Sequence, residues 1–155
     1  MTGRNPTDRG KGGVKRSVLT EAQGIPVGAA LDGANRNDFK LTRQTIDSIP
    51  VERPAPTDEE PQGLCMDNGY NYAEPQAIVQ EFGFTAHVPK KPGEARAAKR
   101  RARQKARRWV VERTHSWLNR FRGILIRWCK KPENYIAMLH FAFAIITYRC
   151  AGLSG

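Results

Sequence analysis

Two β-leaning runs near the start of the chain, Val14 to Glu21 and Ile25 to Leu31, are separated only by Ala22-Gln23-Gly24. So short a connection predicts an antiparallel hairpin, and whatever follows must pack against it. Asn37 is placed to cap a helix through about Ser48, with Phe39 and Ile46 among its core candidates. Residues 50–63 hold four prolines and four acids and read as a mobile acidic surface loop. Leu64 to Met66 is a brief apolar run ending at Asp67, with Asn68-Gly69 behind it as a turn signal. A short helix is predicted over Ala73 to Phe82, ended by Gly83, and then a strand over Phe84 to Val88, stopped by Pro89. Residues 1–13 are rich in Gly, Pro and charge and read as loop; Lys11 is followed by Gly12, so they do not form a phosphate-binding G-x-x-x-x-G-K-[ST] loop.

From about Ala97 the chain favours helix. Val110, Thr114, Trp117, Leu118 and Phe121 form one stripe at helical period, while Arg108, Glu112, His115 and Asn119 run along a different face. Pro132 suits the first turn of a last helix through about Cys150, whose crowded apolar content reads as a buried core helix. The order β-β-α-β-α-β-α-α is an α/β layout, and 155 residues suit one domain spanning 1–155.

Charge is segregated along this layout. Lys90 to Lys131 carries 16 basic residues against two acids, Glu94 and Glu112, whereas the rest of the chain has a small acidic excess within the overall +11. Most of those cations are Arg, interleaved with Trp109, Trp117, Phe121 and Trp128, which suits phosphate contact better than a solvated tail. Nucleic acid, with DNA double-stranded or otherwise as the form to be bound through its phosphates, is therefore the expected partner, with Arg100, Arg101 and Arg103 among its contacts. Cys65, Cys129 and Cys150 lack C-x-x-C spacing and are odd in number, which argues against a disulfide framework and fits a cytoplasmic, nucleoid-associated protein. The first 13 residues contain no apolar run of a signal peptide, and Tyr135 to Tyr148 is shorter than a membrane span, so no membrane partner is expected.

Asp67 and Glu112 are the chemistry candidates. Asp67 ends a strand, where ligands of open α/β sheets collect, but an Asp before Asn-Gly is also an ordinary turn residue. Glu112 stands alone on the polar side of a basic helix, and is equally an i+4 partner for Arg108. Together they are two hard-oxygen donors beside a cationic face, the groups that divalent-metal chemistry on nucleic acid needs. His87, His115 and His140 share no spacing with the cysteines, so zinc is not expected, and Trp109 and Trp117 read as packing residues.

The stretches GRNPTDRGKGGVKRSVLTEAQGIPVGAALDGANRND, LCMDNGY and RRWVVERTHSWLNRFRGILIRW resemble the later part of the catalytic domain of bacterial insertion-sequence DDE transposases. The resemblance covers essentially the whole chain. It implies a ribonuclease-H-like mixed sheet flanked by helices, two Mg²⁺ (or Mn²⁺) ions, and cutting and joining of transposon-end DNA. Asp67 would be the second acidic ligand and Glu112 the third, with Arg108, Arg113 and Arg120 positioning backbone phosphate. Arg108 and Glu112 match the family's Tyr-x2-Arg-x3-Glu-x6-Lys signature, whose Tyr and Lys positions hold Lys105 and Asn119 here. The family's first catalytic Asp lies on a central strand preceding the Gly3 to Gly10 loop, where this chain begins; Asp8, Asp32 and Asp38 do not stand at that position. The expectation is a downstream transposase portion, lacking that strand and the N-terminal DNA-recognition region. It would act when fused to or complemented by the upstream segment or a full-length transposase, in a dimer or higher synaptic assembly. The alternative is a catalytically inactive basic DNA-binding module or transposition regulator.

Overall fold

The structure, a computed structural model, describes residues 2–6, 9–88 and 108–152. Its centre is the expected hairpin. Strand β2 (Gly12–Thr20) runs antiparallel to β3 (Pro26–Gly33), from Val14 opposite Gly33 to Leu19 opposite Gly28. The turn is closed by Glu21, whose carboxylate accepts the N–H groups of Gln23 and Ile25, both at 2.8 Å. Gly24 sits there at φ +89°, a left-handed conformation that glycine adopts without a Cβ penalty. The opening residues are not all loop. Strand β1 (Gly3–Arg4) pairs with Gly12 and Gly13, because Arg9 and Gly10, both at positive φ, fold the segment back on itself.

The hairpin is covered on both faces. On one lies helix α1 (Thr42–Asp47), entered through a 3-10 turn at Asp38–Leu41. Thr45 donates to Ser17 Oγ at 2.8 Å, and Ser48 accepts the Ala29 N–H at 2.8 Å. The helix expected from Asn37 is thus split, and Asn37 makes no side-chain cap; Thr42 instead back-bonds to the Phe39 carbonyl at 2.6 Å. Ile46 is buried as expected, while Phe39 is half-buried against the Tyr72 ring. On the opposite face lie α3 (Arg108–Leu118), the single turn α4 (Arg122–Leu125) and α5 (Pro132–Cys150). Ala29, Leu118, Ile124, Leu139, Ala142, Phe143 and Ile146 form the core between them, flanked by Val18 and Leu31.

Helix α5 differs from expectation in one respect. It is buried along one stripe, through Tyr135, Leu139, Ala142, Phe143 and Ile146, and not all round. Phe141 projects from the other side and is 70% exposed, because the described elements cover only the sheet-facing side of the helix.

A second, smaller unit carries Asp67. Strand β4 (Gly63–Cys65) pairs in parallel with β5 (Thr85–His87), connected by α2 (Ala73–Glu81) with Gly83 at φ +77° past its end. The α/β class is as expected, but the described strands form two sheets and not one mixed sheet. Beyond Gly13 the outer edge of β2 has no strand partner among the described residues, nor has the outer edge of β4. The acidic Pro-rich segment contains no helix or strand before Gly63, where β4 begins, and Arg53 anchors it by donating to Gln62 and to the Phe82 carbonyl while lying 3.9 Å from the Phe84 ring centre. No described helix is long and apolar enough to cross a membrane.

Thr114, fully buried in α3, donates to the Gly24 carbonyl at 2.5 Å. A Cβ on Gly24 would lie 3.2 Å from the Val110 carbonyl and 3.3 Å from Thr114 Oγ1. Gly24→Ala should therefore cost about 1–3 kcal/mol through backbone strain and crowding. Thr114→Val should cost about 1–3 kcal/mol by leaving a buried carbonyl unmet. Urea denaturation of the two variants checks both values.

Candidate functional site

Asp67 leaves β4 in extended conformation, and its Oδ1 accepts the Gly69 N–H at 2.8 Å, capping the 3-10 turn Asn68–Tyr70. The turn role expected of Asp-Asn-Gly is therefore real, and it engages only one carboxylate oxygen; the side chain stays exposed. Tyr70 ends that turn and lies close to Ser17 of β2. Burial pushes the Tyr70 hydroxyl up to about 12, and the nearby charge of Asp38 adds to the effect.

Glu112 lies on the exposed side of α3, opposite the buried Val110, Thr114 and Leu118. It makes no hydrogen bond or ion pair among the described residues. The side chain of Arg108 lies outside those residues, and with it the pairing considered from sequence. No hydrogen bond or ion pair among the described residues joins Asp67 to Glu112. The donor chemistry of the pair suits a hard divalent ion, but the described residues contain no group of three or more His, Cys, Asp or Glu that could hold one. The described carboxylates thus do not by themselves form a metal site.

The expected phosphate contacts divide three ways. Arg100, Arg101 and Arg103 lie outside the described residues. Arg120 stands exposed just past α3, with its side chain in no ion pair among the described residues. Arg113 turns inward. It donates to the Gln23 carbonyl in the hairpin turn, and its guanidinium lies 4.6 Å from the Trp109 ring centre and 5.2 Å from that of Trp117. Its Nε is buried without a hydrogen-bond partner in that setting, held by the two indoles. Sequence reasoning missed this role. The signal was present in Trp-x3-Arg-x3-Trp, a spacing that puts the three side chains close together on a helix. Asp32, set aside as a substitute ligand, is bound to Arg36 at 2.8 Å and to the Gly33 N–H at 2.7 Å, with Arg36 chiefly holding its carboxyl below the usual range.

The residues matching the Transposase DDE domain model run from 2 to 147, nearly the whole chain. The chain belongs to the DDE transposase family. It is also 33% identical over 149 residues to a Burkholderia cepacia protein assigned as the transposase for insertion sequence element IS402, covering 95% of this chain and 68% of that relative. No solved structure matches it. The family acts in DNA transposition, so the basic segment of this DDE transposase chain, the expectation of DNA as substrate and the match to the family agree.

His115 lies near the centre of this layer. Burial, with the positive charge of Arg16 second, holds its pKa below the usual 6.5. The unfolded chain therefore binds this proton more readily than the folded one, and stability rises with pH across the interval. The contribution is intact above about pH 6.5 and is lost as pH falls through the lowered folded value. Melting temperature followed between neutral and mildly acidic pH should fall less in His115→Gln than in the parent chain.

Proposed function

We propose that this chain is part of a divalent-metal-dependent DNA strand-transfer enzyme with a ribonuclease-H-like core. In this reading Asp67 and Glu112 supply two of its carboxylate ligands, completed by a segment beyond the described residues. The observation that carries the reading is that the outer edges of β2, beyond Gly13, and of β4 have no strand partner among the described residues. A strand seated there would merge the two sheets into one mixed sheet and bring a third carboxylate between Asp67 and Glu112. The upstream transposase segment, or a full-length transposase, is the proposed source. Mg²⁺ or Mn²⁺ would supply Lewis-acid stabilisation of the phosphodiester oxygens. With fewer than three gathered ligands, the chain alone is left with the tasks of binding and positioning DNA. Arg100, Arg101, Arg103, Arg108 and Arg120 would meet backbone phosphate, and Arg113 would act indirectly by holding α3 against the hairpin.

The 155-residue chain alone should fail to cut transposon ends in Mg²⁺, and fusion to its upstream segment should restore cutting. In the fused protein, Asp67→Ala or Glu112→Gln should abolish cleavage while DNA binding persists. Gel-resolved cleavage beside fluorescence anisotropy separates the two effects. Robust metal-dependent cutting by the chain alone would overturn the reading. Fusion that leaves binding but no cutting would instead favour the DNA-binding regulator.

The basic segment gives a further expectation. Replacing Arg100, Arg101 and Arg103 together with Ala should flatten log K against log salt by about 2–3 units of slope, since each phosphate contact contributes about 0.9. An unchanged slope would assign those arginines to protein contacts.

A further inference from the structure

The ends of α3 and α5 border a half-open groove of about 380 Å³ lined by Trp117, Arg120, Phe121, Ile146, Arg149 and Cys150. That volume falls within the range of small-ligand sites, roughly 300–1,000 Å³. Its chemistry is divided. Trp117, Phe121 and Ile146 supply an apolar floor continuous with the core, and Arg120 and Arg149 stand exposed at the rim. No acid lines the groove, and neither guanidinium makes an ion pair or side-chain hydrogen bond among the described residues. The last carbonyls of α5 do not claim Arg149 either, since Thr147 and Arg149 receive the N–H groups of Ala151 and Gly152 at 2.9 and 3.2 Å.

We propose that this groove binds a single unstacked nucleotide of DNA, with its phosphate between Arg120 and Arg149 and its base against Trp117, Phe121 and Ile146. The proposal rests on the DNA-acting reading above and adds a subsite to it. Two planar guanidiniums match a phosphate in geometry and charge. An aromatic floor accepts any base, because every base offers a π-face. A fully paired duplex keeps its bases stacked inside and offers the rim only phosphates. The groove therefore distinguishes unpaired from paired DNA, a task that the surrounding cations alone cannot perform.

Cys150 provides a reporter within the groove, being a free, exposed thiol. In a Cys65→Ser, Cys129→Ser background its alkylation rate can be followed with and without DNA. Hexathymidylate at a concentration that saturates binding by anisotropy should slow alkylation several-fold. Blunt duplex at equal phosphate concentration should slow it little, and Arg149→Ala should remove the hexathymidylate effect while Arg149→Lys keeps part of it. Equal protection by duplex, or none by bound hexathymidylate, would overturn the proposal. Protection by an oligo-glutamate peptide as strong as that by hexathymidylate would also overturn it, reassigning the groove to an acidic protein segment. Duplex binding is measured in the same experiment, so its loss would count against the DNA-acting reading itself.

Discussion

The docking of α3 on the hairpin turn is the contact on which the helical layer depends. Gly24 at φ +89° presents its carbonyl to Thr114, and Arg113 reaches the Gln23 carbonyl beside it. Two buried or half-buried polar groups on one helix thus satisfy consecutive turn carbonyls, and leaving the buried Gly24 carbonyl unmet would carry a desolvation cost. The turn is itself held rigid by the Glu21 carboxylate. Once α3 is fixed this way, Leu118 enters the core beside Leu139 and Phe143, and Glu112 is turned outward. The same interaction therefore sets the packing of one layer and the direction of the acid on it.

The other layer is held by different means. Tyr70 reaches Ser17, Phe39 meets Tyr72, and Lys40 and Arg43 pair with Glu74 and Glu81. Those ion pairs are exposed and contribute little. Packing of Leu41, Ile46 and Val79 and the side-chain hydrogen bonds of Thr45 and Ser48 carry more of the stability. Asp67 and Glu112 are both exposed.

Much of this was legible in the sequence because it depends on local signals. The three-residue connection at Ala22 to Gly24, the stop at Gly83 and the Pro132 helix start each read correctly, since each reflects backbone chemistry confined to a few residues. The burial of Val110, Thr114 and Leu118 followed from helical period. What could not be read depends on tertiary partners. Phe141 looks like a core residue until the layer that covers α5 is seen to reach only one side. Arg113 looks like its cationic neighbours until Trp109, Trp117 and the Gln23 carbonyl surround it. Asp67 and Glu112 stand out in the sequence by motif, and both are exposed in the structure.

The central claim is that one added strand converts these two separately held acids into a common metal site. Mn²⁺ relaxation in the chain fused to its upstream segment tests that claim most directly, read at the backbone amides of Gly69 and Glu112. The account predicts that both signals broaden together at the same low Mn²⁺ concentration, and that neither does so in the 155-residue chain alone. Broadening at only one of the two in the fused protein would contradict it, because the acids would then not share a metal.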